Sequence, residues 1–80
     1  MVPGRAPQIV EGRFVGSLPD DFFPIERLFG TLEEAQASAA NFLANHRMSG
    51  TLVWREGAPD CNGPAFYAHA TEITFRIRAS

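Results

Sequence analysis

Hydrophobic and polar positions alternate most strictly near the end of the chain. In Glu72-Ile73-Thr74-Phe75-Arg76-Ile77-Arg78, the side chains of Ile73, Phe75 and Ile77 fall on one side of an extended strand, and those of Glu72, Thr74, Arg76 and Arg78 on the other. Side chains alternate across a strand with period two, so this segment predicts a half-buried strand with one dry and one wet face. Upstream the period changes. Leu32, Ala35, Ala39, Phe42, Leu43 and His46 follow i, i+3, i+4, i+7 spacing, which is the buried stripe of an amphipathic helix. Thr31 and Glu34 form a T-x-x-E capping box at its start, and Glu33 and Glu34 suit the positive end of its dipole. Arg47 suits the last turn and Gly50 is the expected stop. Ala37, Ala40 and Ala44 fill the flanks, so the helix is expected to lie close to a sheet.

The rest of the chain reads around these two elements. Residues 1–7, with Pro3, Gly4 and Pro7, predict a loose N-terminal arm, followed by a single domain over residues 8–80. Gln8 to Gly16 predicts a strand that Gly12 weakens or bulges, and Ser17 to Asp21 is turn chemistry. Phe22 to Phe29 reads two ways. As a strand, it is pushed toward a sheet edge by Pro24; as a helical turn, it has Pro24 at its first position. The strand is preferred, because Gly30-Thr31 then opens the helix cleanly. Thr51 to Glu56 predicts a strand with Leu52 and Trp54 on one face and Thr51, Val53 and Arg55 on the other, and Gly57 to Pro64 a loop. Ala65 to Ala70 predicts the start of a long final strand. Its parity conflicts with that of the Ile73–Ile77 segment, so a one-residue bulge is expected near Ala70–Thr71.

The resulting fold class is α+β: an antiparallel sheet of three to four strands with one α-helix packed on one face, in the order β-β-α-β-β. The expected core is Val15, Ile25, Phe29, Leu32, Ala35, Ala39, Phe42, Leu43, Leu52, Trp54, Ile73, Phe75 and Ile77. One helix covers only one face of such a sheet. The other face is left to solvent or to a partner.

Composition narrows the class. Eighty residues make one domain at most, and 45% hydrophobic content with seven Phe against 20% charged residues is that of a folded chain. The formal net charge of −2 is too small for bulk attraction to nucleic acid and too small for an acidic mimic of it, so no direct nucleic-acid partner is expected. The single cysteine, Cys61, excludes a disulfide framework and favours a reducing, cytoplasmic setting. No apolar run follows Arg5 and no stretch approaches the roughly 20 residues of a membrane helix, so neither a secretory signal nor a membrane partner is expected. All seven basic residues are arginine, so every cation is a planar fork suited to carboxylates, phosphates and aromatic faces.

Candidate chemistry is thin. Cys61 sits in the turn Asp60-Cys61-Asn62-Gly63 with His69 eight residues on, but no third orienting residue accompanies them, so an incidental thiol is the plainer reading. His46, His69, Asp60 and Cys61 show none of the usual metal-ligand spacings. The adjacent pairs Asp20-Asp21 and Glu33-Glu34 point apart in regular structure and read as turn and cap. No phosphate-loop, dinucleotide or nucleophile-elbow motif occurs, and without lysine there is no Schiff base. Neither catalysis nor a cofactor nor a metal is expected. What remains is the wet face: Arg76 and Arg78 with Glu72 and Thr74, Arg55 on a strand that pairs nearby, and Phe66 and Tyr67. Arginine and aromatic residues together match protein–protein hot spots and also nucleic-acid stacking platforms. A solvated face balanced by Glu72, Glu56 and Glu11 is the plainer alternative, and both stay open. Asp20, Asp21 and Phe22, in a loop that continues into Phe23, are a second candidate anchor.

The strand leading into Gly30-Thr31-Leu32-Glu33-Glu34-Ala35, with Gly50-Thr51-Leu52-Val53 opening the next strand, resembles small phage and mobile-element proteins, among them anti-CRISPR proteins, over roughly Leu28 to Glu56. That group has no common signature, so the resemblance carries over no functional residue. It implies a non-catalytic inhibitor that binds a bacterial defence complex, such as a CRISPR-Cas effector, and blocks it by surface occlusion. The alternatives from the residues are a nucleic-acid-binding accessory protein using the arginine strand, or a structural subunit forming a homodimer through its free sheet face.

Overall fold

A computed structural model of the chain describes residues 6–18, 20–57 and 65–79. In chain order the elements are β1 (Ala6–Phe14), β2 (Phe23–Gly30), α1 (Leu32–Asn45), β3 (Arg55–Glu56), β4 (Ala65–His69) and β5 (Ile73–Ala79). The strands form one sheet in the order β2-β1-β5-β4-β3, and every neighbouring pair is antiparallel. The helix crosses one face, against β2, β1 and β5. The fold is therefore α+β with one helix on an antiparallel sheet, and the sheet has five strands rather than three or four.

The extra strand comes from the parity conflict after Ala65. The chain does not bulge there; it reverses. The N–H of Ala70 donates to the carbonyl of Ile73 at 2.8 Å, closing a turn between β4 and β5. Phe66 then lies opposite Ile77, and Ala68 opposite Phe75. Folding back brings both alternating patterns onto one dry face, which a continuous strand with this sequence cannot do.

That face carries the core. Val10, Ile73, Phe75 and Ile77 of the sheet are buried against Ala35, Ala39 and Leu43 of the helix. The alanines let the helix approach closely, and Phe42 meets Phe75 edge-on with ring centroids 5.8 Å apart. Gly12 sits in this layer with little room over it. A Cβ there would lie 2.9 Å from the methyl ends of both Ile25 and Ile73. Two expected core residues lie elsewhere. Val15 stands beyond the end of β1 and is 65% exposed, while Phe29 pairs with Pro7 on the opposite sheet face and is 66% exposed. Val10 and Ala68 take their place, each fully buried.

β2 is an edge strand, as the missing N–H of Pro24 favours. Its register shifts between Val10 and Glu11: Val10 pairs with Glu26 and Glu11 with Pro24, which leaves Ile25 as the extra residue of a bulge. The bulge lets Phe23, Ile25 and Leu28 all reach the core despite their uneven spacing. The predicted strand from Thr51 shrinks to Arg55–Glu56. Leu52 and Trp54 still pack against the core from the irregular segment before it.

The helix begins as its capping box dictates. The Glu34 N–H donates to Thr31 Oγ1 at 3.2 Å, and the Thr31 N–H to Glu34 Oε1 at 3.4 Å. It ends earlier than Gly50. Arg47 adopts φ 53°, the N–H of Met48 reaches the Leu43 carbonyl at 3.0 Å, and that of Arg47 reaches Ala44 at 3.2 Å. These are the paired bonds of a Schellman stop, here with arginine where glycine is usual. His46 is the C-cap and exposed, rather than part of the buried stripe.

Candidate binding face

Residues directly opposite one another in a sheet share a face, so the register lays out the side of the sheet turned away from the helix. Its central row runs Glu11 on β1, Arg76 on β5, Tyr67 on β4 and Arg55 on β3. Beside it run Arg27, Ile9, Arg78 and Ala65 on one side and Arg13, Thr74 and His69 on the other. Arg13, Arg27, Arg55, Arg76 and Arg78 are five of the seven arginines of the chain. Among the described strand residues of this face, Glu11 is the only carboxylate. The other described strand and helix acids lie on the far side. Glu33 and Glu34 are on the helix, Glu26 borders a groove with Ser38, Asn41 and Asn45, and Glu56 pairs with inward-facing Phe66. Asp20, Asp21 and Glu72 stand in two turns at one end of the sheet, joined where the Val15 N–H donates to the Glu72 carbonyl at 3.0 Å.

Glu11 organises the centre. Its side chain is only 10% exposed, and its Oε1 accepts from Arg76 Nε and Arg78 Nε, each at 2.9 Å, with Arg76 Nη2 at 2.8 Å. Charge-assisted bonds of this length are the strong kind, and two cations on one carboxylate leave a net positive centre. The arginines are held side by side because their positions, two apart on β5, straddle Glu11 in the register. Arg76 is fixed from a second direction: its guanidinium lies 4.0 Å over the ring of Phe22. Arg13 lies 5.9 Å from the same ring and donates from Nη1 to the Ser17 carbonyl at 3.1 Å. Next to the row, His69 Nδ1 and Thr74 Oγ1 share a hydrogen bond of 2.9 Å. Tyr67 has room because position 57 is glycine; a Cβ there would overlap its ring.

The residues singled out in the sequence are thus only partly brought together. Arg55, Tyr67, Thr74, Arg76 and Arg78 share the face, although Thr74 is buried. Phe66 does not share it, since the turn after β4 sends it inward against the core. Glu72 is in the turn before β5. The Phe22–Phe23 pair splits across the sheet: Phe22 folds over Arg76, while half-buried Phe23 stacks on exposed Phe14 at 5.2 Å on the helix-side face. Asp20 and Asp21 remain exposed beside them. The sequence marks Glu11 only as a balancing charge. Its central role has no local signal, because the partners lie 65 and 67 residues away. Cys61 and Asp60 lie outside the described residues. His46 Nδ1 lies 3.0 Å from the Phe42 carbonyl, and its ring stacks on Phe42 at 4.1 Å. Among the described residues, no group of three or more His, Cys, Asp or Glu is placed to hold a metal ion, and no helix is long and apolar enough to cross a membrane. No protein-family model, no curated protein and no solved structure matches this chain.

Proposed function

We propose that this protein is a non-catalytic binding module that works through the outer face of its sheet, and that it inhibits a larger assembly, such as a CRISPR-Cas effector, by occluding a surface of it. The observation that carries the reading is the fixed pair Arg76 and Arg78 on Glu11, in the middle of a face on which no described helix or strand packs and which the described loop meets through Phe22 over Arg76. Two arginines locked on one buried carboxylate lose little side-chain freedom on binding, and such preorganisation favours affinity. Exposed Arg55 and half-buried Tyr67 beside them are residue types enriched at binding hot spots. Both histidines are engaged in contacts within the fold, His46 with Phe42 and His69 with Thr74, which suits a scaffold better than an acid–base pair.

The test is inhibition of reconstituted effectors. Target binding by a panel of purified CRISPR-Cas complexes is measured with and without the protein. The expected result is stoichiometric inhibition of at least one effector, abolished by Arg55→Glu, whose exposed site tolerates the change. Unimpaired target binding across the panel overturns the inhibitor reading. Inhibition that survives Arg55→Glu together with Tyr67→Ala overturns the outer face as its surface.

A further inference from the structure

The chain as a whole is acidic, with a net charge of −2, but its charges are sorted by layer. The outer sheet face gathers Arg13, Arg27, Arg55, Arg76 and Arg78 against Glu11 alone among its described strand residues. The formal charge of the described strand residues on this face is opposite in sign to the total. The described acids other than Glu11 stand on the helix side of the sheet or in the turns at one end of it. The net charge is therefore a poor guide to the partner of this face.

The central row adds chemistry to the charge. Tyr67 lies between Arg76 on one side and Arg55 on the other, on three adjacent strands spaced by about 4.8 Å. Arg76 presents a guanidinium already stacked on Phe22, and its Nη1 end has no protein partner among the described residues. An aromatic ring flanked by planar cations on a sheet is the arrangement that stacks bases and neutralises the backbone between them. A purely acidic protein surface would use the arginines and gain little from the ring.

We propose that the ligand of the outer face is single-stranded nucleic acid, with Tyr67 as the stacking residue, Arg55 and Arg76 as the phosphate contacts beside it, and Glu11 as the positioning residue that fixes Arg76 and Arg78. The proposal rests on the outer face being the binding surface, and it names the partner of that surface.

The experiment is fluorescence anisotropy of the intact chain with labelled single-stranded RNA and DNA of about a dozen nucleotides, a site size a single small domain covers. A duplex of equal length and polyglutamate serve as comparison ligands. Binding is expected to be tighter for the single strands than for the duplex and to weaken steeply between about 50 and 200 mM salt. Tyr67→Leu is expected to lower the affinity about five- to a hundredfold while Tyr67→Phe retains it, because stacking needs the ring and not the hydroxyl. Arg55→Ala is expected to reduce the slope of log affinity against log salt by about 0.7, the loss of one phosphate contact. Circular dichroism melts of each variant confirm folding.

Absence of single-strand binding at the lowest salt overturns the proposal, as does equal binding of duplex and polyglutamate with no effect of Tyr67→Leu. If nucleic acid fails while effector inhibition is still lost with Arg55→Glu, the face stands as a protein-binding surface and only the ligand assigned here is wrong. If both fail, the outer-face reading falls with it.

Discussion

Glu11 is the residue on which the outer face depends. Oε1 accepts from both arginines, so each of them satisfies it in the absence of the other. Arg78→Ala is therefore expected to cost about 1 kcal/mol and Arg76→Ala about 2 kcal/mol, because Arg76 also gives up its Nη2 contact and its place over Phe22. The double variant leaves a nearly buried carboxylate without a cation and is expected to cost about 5 kcal/mol, beyond the sum. Urea denaturation of the two single variants and the double variant measures this; simple additivity would show that the two pairings are independent. Gly12 tests the other side of the sheet. Gly12→Ala places a methyl 2.9 Å from the ends of Ile25 and Ile73 and 3.1 Å from Phe23, and overpacking of this kind costs about 1–3 kcal/mol. A variant as stable as the parent would mean that those side chains shift freely. Neither residue announces its role in the sequence. Glu11 reads as an ordinary strand acid and Gly12 as a weak point, because what defines each is contributed by β2 and β5.

At the scale of elements, the helix start was legible and its end was not. A capping box is a local device: Thr31 and Glu34 lie within one turn and need nothing else. The stop at Arg47 uses a left-handed residue, for which glycine is the usual signal, and the first glycine downstream is Gly50. Non-glycine residues pay roughly 1–2 kcal/mol for that conformation, so Arg47→Gly is expected to stabilise the fold by about 0.5–1 kcal/mol after the greater freedom of the unfolded glycine is counted. A rise of several °C in the melting midpoint is the readout, and a fall would mean that the Arg47 side chain contributes more than its backbone costs. Strand lengths show the same division. The alternation in Ile73–Ile77 fixed β5, whereas Thr51–Glu56 alternates as well and yields just two paired residues. β5 is flanked on both sides and β3 is a short edge. Backbone amide exchange is accordingly expected to be slowest in the middle of β1 and β5 and fastest in β3. Equal protection across the sheet would contradict a sheet built outward from its central pair.

For the whole molecule, the sorting of charge outweighs its total. With a sequence pI near 5.5, the protein carries net negative charge at neutral pH, and a uniform distribution would keep it off a cation exchanger. The outer face predicts retention on immobilised heparin at low salt at pH 7, lost in Arg55→Glu. Passage of the parent protein without retention would show that the acids of the flanking turns cancel the face. The sequence by itself determined the class of the molecule. Period-two and period-3.6 patterns are local, so one capped amphipathic helix and half-buried strands follow from neighbours in the chain, and a single helix leaves one sheet face uncovered whatever the strand order. The tertiary structure alone decided what that face contains. It set the order β2-β1-β5-β4-β3, turned Phe66 inward by reversing the chain at Ala70–Glu72, and laid Glu11 between Arg76 and Arg78. The physical reason is that a strand's own sequence specifies which residues share a face but not which strand lies beside it. Partners that meet across a register 65 residues apart leave no trace in any local window.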